Sequence, residues 1–129
     1  MKLGFLVVLT TVAAGPAFAC TCMPPTPARA YSGADAVVLG RIVSVAEHGP
    51  FGAQATFAVQ QAWKATVQST IQVVTDGPCA ASLPLGQEQL VFLGRIEGGY
   101  ATGACSGNQR GEDAGVFLTW LGQNARPTR

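Results

Sequence analysis

The residues best equipped for chemistry in this chain are its four cysteines, Cys20, Cys22, Cys79 and Cys105. Two of them form Cys20-Thr21-Cys22, directly behind Ala17-Phe18-Ala19, a small-x-small triplet of the kind a signal peptidase cuts. Ahead of the triplet stand Lys2, an apolar run from Leu3 to Ala14 and the helix breaker Gly15-Pro16. Residues 1–19 therefore read as a secretory signal peptide, with an apolar run too short to span a bilayer. Cleavage between Ala19 and Cys20 would send the protein to the periplasm or the medium and make Cys20 its first residue. An even number of cysteines in a small exported chain reads as a disulfide framework, and four of them allow three pairings. A bond between Cys20 and Cys22 would close a very short loop beside stiff prolines, with little room for unstrained geometry, so each is expected to reach one distant cysteine. Zinc bound by all four is the poorer reading, because CxC with two isolated cysteines is not the paired CxxC spacing of zinc ribbons. Lipidation of Cys20 is a further alternative; it would anchor the chain and block the amine, but the triplet lacks the expected aliphatic residue three positions before the cysteine.

Other reactive side chains lack partners in the sequence. His48 is the only histidine and sits beside Gly49-Pro50 in a turn signal. Ser82 and Ser106 have no nucleophile-elbow context, and Glu112-Asp113 reads as a helix start before it reads as a metal site. No glycine-rich phosphate loop is present, so neither an enzyme nor a cofactor is expected. The charge balance narrows the partners further. Loss of Lys2 with the signal peptide would bring the eight basic residues level with the seven acidic ones, which argues against a nucleic-acid surface. A charged fraction of 12% and a hydrophobic fraction of 48% exclude a solvated, disordered chain. No membrane association is expected unless Cys20 is lipidated.

The elements that must position the cysteines follow from hydrophobic spacing. Met23-Pro24-Pro25-Thr26-Pro27 is a stiff, extended arm, and Ala28 to Gly33 a short helical turn. Ala34 to Glu47 is rich in β-branched residues, with Val37, Leu39, Val43 and Val45 on one parity and Ala36, Val38 and Ile42 on the other. Apolar on both faces with Gly40 in its middle, it predicts a long strand that bends or bulges. His48 to Gly52 is a turn into a second strand ending at Trp63. A third strand is expected over Thr70 to Thr75, a fourth over Gln89 to Gly94 and, past Gly98-Gly99, a fifth over Tyr100 to Cys105. Glu112 to Gln123 predicts a terminal helix with Val116, Phe117, Trp120 and Leu121 on one face, and Ala125 to Arg129 a frayed tail. Five short strands, two of them apolar on both faces, predict closure into a small all-β barrel, a five-stranded Greek-key barrel of the OB type.

At Cys20-Thr21-Cys22-Met23-Pro24-Pro25-Thr26-Pro27 the chain resembles the mature N-terminus of the tissue inhibitors of metalloproteinases. The likeness continues at Asp35-Ala36-Val37-Val38, at Trp63-Lys64, at Cys79 and over Tyr100 to Ser106, so it covers the residues from 20 to 129 at low density. The resemblance implies a netrin-like, OB-type domain over residues 20–129, with Cys20 paired to Cys79 and Cys22 to Cys105. It implies inhibition of a zinc metalloprotease, with Thr21 entering the specificity pocket and Cys22, Met23, Gly77, Pro78 and Cys79 contacting the protease around it. The chain departs from the family in lacking a further cysteine pair and a disulfide-rich C-terminal subdomain. Netrin-like modules that do not inhibit proteases supply the alternative, a binding or envelope module. The chemistry behind inhibition is independent of the name. A catalytic zinc keeps a position open to water, and a neutral amine with its adjacent carbonyl oxygen forms a five-membered chelate that can displace that water. An N-terminal Cys20 would supply both atoms, and its α-amino group, with a reference pKa of about 8, is neutral far more often at physiological pH than a lysine at about 10.4.

Overall fold

The computed structural model describes residue 4 and residues 20–129, so the expected signal peptide over residues 1–19 and its expected cleavage point lie outside the described residues, Gly4 apart. Strands β1 (Ala36–Glu47), β2 (Ala53–Trp63), β3 (Thr70–Thr75), β4 (Glu88–Ile96) and β5 (Gly99–Ala101) run in the order β1-β2-β3-β5-β4, and β4 pairs back onto β1. The β3–β5 pair is parallel and the other neighbours are antiparallel. That is the closed five-stranded OB-type barrel the pattern predicted, and two disulfides, Cys20–Cys79 and Cys22–Cys105, brace it. A sixth strand, β6 (Gln109–Arg110), adds a two-residue pairing to β4 at Gln89 and Leu90.

Two strands are apolar on both faces because each face has its own cover. Ala36, Val38 and Ile42 of β1 and Val91 and Leu93 of β4 fill the barrel with Phe57, Ile71 and Val73. Val37, Leu90 and Phe92 point the other way, into a second core shared with Trp63, Phe117 and Leu121. Helices α1 (Pro27–Gly33) and α2 (Gly115–Asn124) roof that second core, and Phe92 meets Phe117 edge-on at 5.9 Å between ring centroids. Strand β1 bends as Gly40 suggested. Register shifts against β2 occur at Leu39/Gly40 and at Ile42/Ser44, and a Cβ on Gly40 would stand 2.8 Å from the Ala58 carbonyl oxygen. Past Arg41 β1 loses its pairing with β4 and runs on against β2 alone, and Val43 and Val45 are 50% and 41% exposed instead of packed.

The structure corrects several other expectations. Strand β5 stops at Ala101 rather than Cys105, because the chain there turns off the sheet toward the disulfide. Glu112 and Asp113 lie in a separate 3₁₀ turn (Gly111–Asp113), so α2 starts later than expected, at Gly115. Val116 is exposed, since only Phe117, Leu121 and, partly, Leu118 and Trp120 reach the core. The tail is not frayed. Pro127 bridges to Trp63, Thr128 donates its N–H to the Ala62 carbonyl at 2.7 Å, and the Ala62 N–H donates to the Arg129 carbonyl at 3.2 Å. The Thr128 hydroxyl also donates to the Ala65 carbonyl at 2.6 Å. Backbone pairing on an open strand edge needs no apolar pattern, which is why the tail carried no signal. Just after Trp63, Lys64 turns the chain out of β2 at φ +73°, alone among the described non-glycine residues at positive φ. The left-handed region costs an L-residue roughly 1–2 kcal/mol.

Candidate functional site

Two loops at one end of the barrel are laced together before the N-terminal arm reaches them. The first follows β3: Asp76 leads into Gly77 at φ +80°, a turn closes from the Ala80 N–H to the Gly77 carbonyl at 3.3 Å, and the Ala81 N–H donates to the buried Thr75 hydroxyl at 2.8 Å. The second follows β5: the Gly103 N–H donates to the Ser106 hydroxyl oxygen at 3.0 Å, and the Ser106 N–H to the Gly103 carbonyl at 3.2 Å. Ala80 and Gly103 form an isolated bridge between the loops, and the Ala104 N–H donates to the Cys79 carbonyl at 2.8 Å. An Asn108–Thr102 network ties the second loop to β4. The Phe92 N–H donates to the Asn108 side-chain Oδ1 at 2.8 Å, and the Thr102 hydroxyl to the Phe92 backbone carbonyl at 3.0 Å.

The arm then crosses both loops. Cys20 bonds Cys79 on the first, with 5.5 Å between Cα atoms, and Cys22 bonds Cys105 on the second, with 5.2 Å. These are the pairs that the resemblance implied, and the described residues contain no free cysteine. A disulfide sulfur carries no proton, so the 3.2 Å approach of Cys20 Sγ to the Pro78 carbonyl is a packing contact that sets the arm against the loop. Thr21 lies between the two staples and is exposed, as is Met23 at 68%, while Cys20 and Cys22 are half-buried. Pro78 and Cys79 are exposed and Gly77 half-buried. Every residue singled out in the sequence for this site therefore falls on one edge, made of the arm and the loop it is bonded to. Under the arm an open hollow of about 640 Å³, lined by Thr21, Met23, Pro25, Ala30 and Phe92 among others, separates it from the barrel wall.

No family model and no curated protein matches the chain. The remaining candidates stay apart from this edge or serve the fold. The His48 N–H closes the β1–β2 hairpin by donating to the Gly52 carbonyl at 3.1 Å, and the ring is exposed. Ser82 offers its carbonyl to the Gln89 side chain at 3.0 Å. Glu112 pairs loosely with Arg110 at 3.9 Å, both side chains largely in solvent, a contact of little energetic weight. Among the described residues no three of His, Cys, Asp and Glu gather as a metal-binding group.

Two residues whose role is not legible in the sequence, Gly107 and Lys64, support the helix into which the arm leads. Thr26 caps α1, its hydroxyl accepting from the Arg29 N–H at 3.3 Å, and Pro27 occupies the first helical position. Gly107 supports this start from below. It sits at φ +95°, and a Cβ there would come within 2.8 Å of the Ala30 Cβ and 3.6 Å of the Pro25 Cβ. A Gly107→Ala variant is thus expected to lose roughly 1–3 kcal/mol of stability, by forced left-handed backbone and by overpacking. Denaturant unfolding measures it, and a parent-like midpoint would mean that α1 does not rest on Gly107. Lys64 reaches the other end of α1, its ammonium group donating to the Tyr31 carbonyl at 2.6 Å.

Proposed function

We propose that the chain, once cut between Ala19 and Cys20, inhibits zinc metalloproteases by presenting the Cys20 amine and carbonyl to the catalytic zinc, in the manner of the tissue inhibitors of metalloproteinases. The single observation that supports this reading best is the double staple around Thr21. A chelating N-terminus is useful only if it is held in one orientation, since each freely rotating group it carries would have to be ordered on binding. Disulfides at Cys20 and Cys22 remove that freedom on both sides of Thr21 and leave the residue between them exposed, as a side chain destined for a partner's pocket must be. The loop partner Cys79, with Pro78 beside it, widens the exposed edge on the side of Cys20. Chelation needs the amine unprotonated and unacylated, which ties the function to export, cleavage and a free N-terminus. Disulfides fit an oxidising compartment, and no helix among the described residues is long and apolar enough to cross a membrane.

Mass spectrometry of the exported protein tests the premise: the reading requires a free α-amine on Cys20. An acyl group there would remove the chelator and leave a lipid-anchored binding module. Substitution at the neighbouring position then separates pocket from chelate. Thr21→Gly deletes contacts in the specificity pocket while sparing the amine and carbonyl, so inhibition should persist, weaken by about tenfold for proteases whose pocket Thr21 fills, and change rank across a panel. Equal inhibition constants for the parent and Thr21→Gly across the panel would place Thr21 outside the interface.

A further inference from the structure

Backbone sterics alone would put glycine or asparagine where Lys64 stands, since its φ of +73° lies in the left-handed region. A strained residue is kept where its side chain has work that the favoured residue cannot do. The Lys64 Nζ donates to the Tyr31 carbonyl at 2.6 Å and to the Ser32 carbonyl at 3.3 Å, and it stands 4.8 Å from the centre of the Tyr31 ring. Both carbonyls belong to the last turn of α1, where the Tyr31 carbonyl also accepts the Ala34 N–H at 3.3 Å and the negative end of the helix attracts a cation. α1 has no basic residue of its own in that turn. Nor does it bury any residue completely: Ala30 stands over Gly107 and Tyr31 meets Trp120 of α2 at 5.5 Å, just past the helix Asp35 donates its N–H to the Leu93 carbonyl and accepts the Arg95 N–H on its carboxylate, each at 2.8 Å, and Lys64 adds a tie from the end of β2.

The arm runs straight into this helix. Cys22 fixes one end of Met23-Pro24-Pro25, and α1, entered through the Thr26 cap and Pro27, fixes the other. Two prolines transmit direction well because their φ angles cannot adjust. We infer that Lys64 is a positioning residue for the N-terminal arm: its ammonium group latches α1 to the end of β2, and through Pro24 and Pro25 it sets the direction in which Met23 faces a partner. The inference deepens the inhibitor reading and rests on it. It assigns Lys64 no contact with the protease and no part in the chelate, which the Cys20–Cys79 bond holds.

Lys64→Gly removes the latch and the backbone strain together, so the fold survives with an unfolding midpoint within a few degrees of the parent. Inhibition should weaken by about fivefold to tenfold, the scale set by re-ordering one or two side chains on binding, and Lys64→Arg, which keeps a cationic donor, should stay within about twofold of the parent. Amide hydrogen exchange supplies a readout without any protease: exchange over Arg29 to Tyr31, where the Arg29 and Ala30 N–H groups donate to Thr26, should accelerate in Lys64→Gly and remain parent-like in Lys64→Arg. A lysine with a purely structural role would alter the midpoint and leave inhibition and helix exchange unchanged, and that result overturns the latch. If the parent protein inhibits no metalloprotease, the inhibitor reading fails by itself. Exchange then still decides the latch, with acceleration over Arg29 to Tyr31 supporting it and equal rates overturning it.

Discussion

In reductant, the domain should unfold at temperatures where the oxidised protein is fully native. The two bonds close loops with sequence separations of 59 and 83 residues. In the loop-entropy account each constrains the unfolded chain by roughly 4 kcal/mol, and loss of one native disulfide from a small secreted domain typically costs about 2–5 kcal/mol. A domain of this size holds only about 5–15 kcal/mol in total, so losing both bonds removes much or all of it. Circular dichroism melting with and without reductant measures the effect. A drop of more than about 10 °C, or no folded baseline, is the expected outcome. A midpoint moved by less than a few degrees would mean that the barrel and its helix-covered second core suffice without the staples.

The second large effect is functional. One alanine added ahead of Cys20 should abolish protease inhibition and leave folding untouched. The extension turns the chelating amine into an amide nitrogen, a very poor zinc ligand, and pushes a new residue into the space the metal must occupy. Neither disulfide is altered, and Cys20 is only half-buried, so there is room for an added residue at the edge. The extended protein should therefore melt with the parent while its inhibition constant rises beyond measurement. An extended form that inhibits as well as the parent would remove the amine from the mechanism.

The parts of this structure that were legible in the sequence are those driven by burial. Strand β3 was read from Thr70 to Thr75 because Ile71 and Val73 alternate with polar residues, and those two side chains do fill the barrel. Closure was legible in β1 and β4, whose two apolar faces had to be covered on both sides. The CxC motif exposed the stapled edge, with a resemblance supplying the pairing. What escaped was held by backbone hydrogen bonds or by unusual backbone angles. The tail pairs with β2 through N–H and carbonyl groups, which leave no side-chain pattern. Nothing in Thr102 to Cys105 announces that β5 ends at Ala101 and that the Thr102 hydroxyl, in place of a backbone N–H, donates to the Phe92 carbonyl. Helical spacing predicts Val116 in the core, but it lies in the first turn of α2 and is 73% exposed, while Phe117 and Leu121 fill the second core. Lys64 enters the sequence reading only through the Trp63-Lys64 likeness; its reach to α1 is not legible there, because a lysine at positive φ runs against local preference.

The most direct measurement of the central claim is a titration of a cobalt-substituted metalloprotease that the mature protein inhibits, followed in the visible spectrum. Cobalt(II) in place of zinc reports any change in its ligands, and water displaced by an amine and a carbonyl oxygen must alter the coordination geometry. The mature protein should shift the cobalt bands with one-to-one stoichiometry and inhibit in parallel, whereas the alanine-extended protein should do neither. Inhibition with an unchanged cobalt spectrum, or the same shift from the extended protein, would contradict chelation by Cys20.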